Sequence, residues 1–117
     1  MARKPPYLEQ HAISIRGVTW TVRLYNPRSY VKINGDDSRA ITHLAEREIH
    51  CRQDYLDLVT LRHEVIHALI DSSHHISSDL DQDKFEEMVC EIVSEHYYDI
   101  GKWSEEIQKR FLRDSLS

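Results

Sequence analysis

Between His11 and Leu24 the chain reads HAISIRGVTWTVRL, with Ile13, Ile15, Val18, Trp20, Val22 and Leu24 on an alternating pattern broken once around Gly17. A period of two marks strands with one buried face and the break at glycine marks a turn, so two short strands are predicted. Asn26, Pro27, Arg28 and Ser29 form a turn signal, after which Tyr30, Val31 and Ile33 predict a brief third strand ending at Asn34, Gly35, Asp36 and Asp37. From Ala40 to Arg52 the segment AITHLAEREIHCR places Ile41, Leu44 and Ile49 around a polar interruption, which predicts a hairpin or extended edge with Glu46, Arg47 and Glu48 at its tip.

From Gln53 the period changes. The stretch QDYLDLVTLRHEVIHALIDSS contains neither glycine nor proline and predicts a long helix. At 100° per residue Leu56, Val59, Ile66 and Ile70 gather on one side and Leu58, Leu61, Val65, Ala68 and Leu69 on the other, so the helix is apolar nearly all round and expected to be central. Residues 71–83 read as a polar loop. A second helix is predicted from Gln82 or Asp83 to Asp99, stopping near Gly101, with Phe85, Val89, Ile92, Val93, His96 and Ile100 as its buried stripe. Ser104 is placed to cap a short final helix through Arg113 that carries Ile107, Phe111 and Leu112. The fold class expected is therefore α+β: a small N-terminal sheet against helices, within a single domain over 1–117.

Composition narrows the chemistry. The 117 residues hold two cysteines, Cys51 and Cys90, too few for a disulfide framework or a four-cysteine zinc site, and eight histidines. Through Arg39 there are seven basic and three acidic residues, and after it eight basic and seventeen acidic, which together give the net charge of −5. The basic positions are scattered over strand-like sequence without a run, so no nucleic-acid partner is expected. No apolar run approaches the ~18 residues of a membrane span, and the start MARKPPYLEQ lacks the apolar stretch of a secretory signal. A cytoplasmic location is the expectation.

Residues 63–67 read HEVIH, an HExxH pattern inside the most strongly predicted helix. Histidines four apart project about 40° from each other on one helical face, so both imidazoles can reach one Zn²⁺. Glu64 lies on the adjacent side, where it can act as general base on a water that zinc acidifies. Two histidines and a glutamate on an otherwise apolar helix are hard to explain by packing, because each desolvates polar groups that apolar residues would not. A catalytic zinc needs a third protein ligand. The extension HExxHxxGxxH would require glycine at 70 and histidine at 73, where the chain has Ile70 and Ser73. On the second helix Glu86 lies at the margin of the apolar stripe, whereas Glu87 lies nearly opposite and Glu91 points away. Glu86 is the geometric choice, with Glu87, His96 and the loop histidines His74 and His75 as alternatives. Cys90 reads as a small half-buried hydrophobe, and His43 and His50 fall on strands where they could line a cleft.

LRHEVIHALI followed by FEEMVCEIVSEHY, together with the ISIRGVTWTVRL hairpin and the EIHC strand, resembles small gluzincin-type zinc metallopeptidases. The likeness is to compact phage and prophage members related to the ImmA/IrrE metallo-endopeptidases, and it covers most of the chain from Ile13 to Asp99. It implies a minimal zincin-like fold in which a small sheet packs on the HExxH helix and on a second, ligand-bearing helix. It implies zinc held by His63, His67 and Glu86, with Glu64 as base. It also implies an oxyanion donor among Tyr97, Tyr98 and His96, for which Tyr97 is taken, although core packing is the role expected first for each. The implied substrate is a protein or peptide, with a regulatory protein suggested, in the host cytoplasm if the chain is phage-encoded. A zinc-stabilised protein-binding module with little turnover is the competing expectation. A nucleic-acid-associated protease would call for a zinc ribbon or a basic face, and the sequence has neither.

Overall fold

In the computed structural model, which describes residues 4–72 and 82–112, the first alternating segment forms β1 (Glu9–Ile15) and β2 (Val18–Tyr25). Ile13, Ile15, Trp20, Val22 and Leu24 are buried on one face, as their spacing predicts. Arg16 and Gly17 both take positive φ, 52° and 77°, the pair of dihedrals whose twist matches that of two antiparallel strands.

The expected third strand is instead a helix, α1 (Pro27–Asn34). The short alternation at Tyr30, Val31 and Ile33 is overridden by its end signals. The Asn26 side chain accepts the Ser29 N–H at 2.8 Å, Pro27 supplies a helical φ where no N–H is needed, and Gly35 takes a left-handed φ of 77° to close the last turn onto the Val31 carbonyl. Tyr30 is its one buried residue; its hydroxyl meets Ser38 Oγ at 2.8 Å, and burial pushes the phenol up to about 12.

The expected hairpin is present as β3 (Ala40–His43) and β4 (Glu48–Arg52). Its tip is residues 44–47, with Arg47 at φ 54°, so Glu48 lies in the strand and not at the tip. The sheet order is β1-β2-β4-β3. β2 and β4 run parallel from Thr21↔Glu48 to Tyr25↔Arg52, and the two outer pairs are antiparallel. Arg23 Nη1 meets Glu48 Oε1 at 3.1 Å across the parallel seam.

The long helix, α2 (Leu58–Ser72), begins five residues later than the sequence pattern suggests. Asp57 takes the Thr60 N–H at 2.8 Å and caps it, while Gln53–Tyr55 form a separate 3-10 turn. Leu61, Val65, Ala68 and Leu69 are wholly buried, Ile66 and Ile70 are partly buried, and Val59 is exposed, so the helix packs by one face and is not enclosed.

Beyond it, the two expected helices run end to end as one kinked element, α3 (Gln82–Leu112), with the break five residues before the expected stop near Gly101. It bends at His96, where φ and ψ depart to −111° and 15°, but does not stop at Gly101. Ser104 is not a cap: its hydroxyl donates to the Ile100 carbonyl one turn back, at 2.7 Å. The buried stripe comprises Ile92, Ile100, Ser104, Ile107 and Phe111, whereas Phe85 is exposed and Val89, Val93 and His96 are only half-buried. The residues of this stripe, α2 and the inner face of the sheet form one apolar core. Arg113 lies outside the described residues. Among those described, no helix is long and apolar enough to cross a membrane.

Candidate functional site

The core fixes the site by fixing α2. With Leu61, Val65, Ala68 and Leu69 turned inward, His63 and His67 project outward one turn apart, while Glu64 is carried to the boundary with the sheet. The two Nε2 atoms are 3.1 Å apart, with the rings 4.8 Å between centroids and inclined at 72°. Two imidazoles bound tetrahedrally to one zinc at ~2.0–2.1 Å place their nitrogens ~3.3–3.4 Å apart, so the pair fits two positions of such a centre with little adjustment.

Glu64 is only 5% exposed. Its Oε2 accepts the Thr42 hydroxyl at 2.5 Å, a charge-assisted bond that ties the helix to β3. Nothing local in the sequence links residues 42 and 64, and Thr42 is the site residue that sequence reasoning missed. A cleft of about 270 Å³ opens beside this contact, bounded by Ser38, Arg39 and Ala40 on the strand side and by Val59, Thr60, His63 and Glu64 on the helix side. β3 is an edge strand. Its Arg39 carbonyl accepts the Arg52 N–H at 3.1 Å, and antiparallel alternation then turns the backbone N–H and C=O groups of Ala40 and Thr42 away from β4, toward the open edge.

The other residues singled out by the sequence lie elsewhere. Glu86 is exposed, accepts the Gln82 side-chain amide at 3.3 Å, and borders a surface hollow with Asp83, Lys84, Glu87 and Cys90. Among the described residues no group of three or more His, Cys, Asp or Glu is assembled to hold a metal, so neither Glu86 nor Glu87 joins the histidine pair. Glu91 is exposed, and His74 and His75 lie outside the described residues. His96 Nδ1 is 3.8 Å from Asp99 Oδ2. Tyr97 is 78% exposed and lines a groove with Arg62 and Ile66, not the cleft beside Glu64; Tyr98 is exposed too, so neither is a core residue.

Cys90 is exposed, against the half-buried expectation: in the early turns of α3 only Met88 and Val89 are partly buried, and Cys90 lies off that face. Cys51 is buried, and that burial pushes its thiol up to about 12. His43 and His50 meet over the outer face of the sheet, away from the cleft, where Asn34 Oδ1 lies 2.8 Å from His43 Nε2 and 3.3 Å from His50 Nδ1. Burial lowers the His50 pKa, opposed by its bond to Glu48 at 2.9 Å.

No protein-family model matches the chain, and neither a curated protein nor a solved structure matches it significantly.

Proposed function

We propose that the chain is a zinc-dependent peptidase with a minimal zincin-like fold, cutting an extended segment of a protein or peptide substrate. One observation carries this reading: His63 and His67 bring their Nε2 atoms to 3.1 Å from each other, and His63 and Glu64 line a cleft whose opposite wall is Ser38, Arg39 and Ala40 at the start of the edge strand β3. When bound, zinc supplies Lewis-acid polarisation of the scissile carbonyl and acidifies a water. His63 and His67 would hold it through Nε2, and Glu86, the third donor expected from the sequence but apart from the pair here, would have to be drawn in as the metal binds. Ala40 and Thr42 offer N–H and C=O groups to an added strand, which holds the substrate backbone along the cleft. Glu64 Oε1, the oxygen not taken by Thr42, accepts the proton of the attacking water and returns it to the leaving nitrogen. No oxyanion role is assigned to Tyr97, given its groove.

Glu64→Gln tests this. With zinc content unchanged, hydrolysis of a fluorescence-quenched peptide library should fall by at least ~100-fold. Parent-like turnover in that variant would refute the mechanism. A second reading, a zinc-stabilised module that binds a regulatory protein with little turnover, draws on the exposed Tyr97 and Tyr98 beside the groove between α2 and α3. It predicts zinc binding and no cleavage in the parent chain.

A further inference from the structure

Thr42 faces two ways. Its backbone N–H and C=O look out of the sheet toward the free edge, and its side chain looks inward to α2. We infer that Thr42 is a positioning residue which couples the seating of an extended substrate on β3 to the orientation of the Glu64 carboxylate; this rests on the peptidase reading above.

The coupling follows from bond geometry. Among the described residues Glu64 has no other side-chain hydrogen-bond partner, so the 2.5 Å bond from Thr42 Oγ1 to Oε2 fixes the rotation of the carboxylate, leaving Oε1 as the oxygen available to a molecule in the cleft that Glu64 lines. A β-branched side chain is stiff at χ1, so a displacement of the Thr42 backbone reaches the hydroxyl instead of being absorbed by rotamer change. A substrate strand that bonds both outward groups of Thr42 holds that backbone, and through it the base. β3 is four residues long and ends the sheet, and among the described residues no strand pairs with its outer side to perform this task until one is added. Occupancy of the edge and readiness of the base are thereby one event, and substrates too short to reach Thr42 lose kcat as well as affinity.

Two substitutions separate the hydroxyl from the strand. Thr42→Val keeps the β-branch and the outward backbone groups but removes the donor; Thr42→Ser restores the donor. In zinc-loaded protein labelled with ¹³C at glutamate carboxyls, the Glu64 resonance is identified by its loss in Glu64→Gln. In Thr42→Val that resonance should move, and kcat on a cleaved peptide should fall on the order of 10-fold to 100-fold with KM within about 2-fold and zinc content unchanged. Thr42→Ser should return the resonance and most of kcat. An unmoved Glu64 resonance in Thr42→Val, or Thr42→Ser behaving like Thr42→Val, overturns the coupling whatever the turnover. A parent chain that binds zinc and cleaves nothing sinks the peptidase reading, and that outcome is distinguished by the resonance still moving.

Discussion

The two helices that carry the proposed site are held in very different ways. α2 is anchored by four wholly buried side chains and by the bond from Thr42 to Glu64. The first ten residues of α3, Gln82–Glu91, contribute no fully buried side chain, and Glu86 lies among them. Folding of the core alone therefore builds the paired histidines and the base, whereas the third donor has no packing to fix it. A centre of this kind is half preorganised, and metal binding has to do the rest of the ordering.

The largest effect that tests this contrast is on stability. Leu61→Ala, on the anchored helix, should cost about 2–5 kcal/mol in urea unfolding, whereas Phe85→Ala on α3 should cost within about 0.5 kcal/mol. Equal losses would break the comparison. Next comes the metal: free zinc at ~100 times its Kd should stabilise the parent by about 2.7 kcal/mol, seen as a raised Tm. Glu86→Ala should remove most of that gain and Glu87→Ala should keep it; the reverse would move the third donor to Glu87. The smallest effect involves no change in stability. A thiol reagent should label Cys90 on exposed α3 in the folded chain and leave Cys51, buried behind α2 with its thiol pushed up to about 12, unmodified until denaturant is added. Rapid labelling of both would show the core side to be as open as the other.

What the sequence disclosed follows the range of the forces involved. Both hairpins are visible because period-two alternation and turn residues are local, and HEVIH is visible because residues four apart share a helical face. α1 is hidden because three apolar residues resemble a strand until Asn26, Pro27 and Gly35 are weighed together as its two ends. The place of the break in α3, His96 and not Gly101, is hidden because Ser104 can cap a helix or bond back along one, and it does the second, buried beside Ile100 and Ile107. Thr42 is hidden for a different reason. Its partner is twenty-two residues away, and only the docking of α2 against the edge strand brings the two together. The expected position of Glu86 depends on a stripe buried along the whole second helix, whereas full burial begins only at Ile92, with Met88 and Val89 partly covered before it.

The sheet consists of two hairpins joined along a single parallel seam between Thr21–Tyr25 and Glu48–Arg52. Each hairpin closes over a short turn and can form in ~1–10 μs, but the seam brings together segments far apart in sequence and must wait for α1 and the second hairpin. α2 follows β4 after the 3-10 turn and finds its apolar partner surface only once that seam has closed. A nascent or partly unfolded chain thus carries His63, Glu64 and His67 with no edge strand opposite them, and order of assembly keeps the proposed chemistry silent until the sheet is complete.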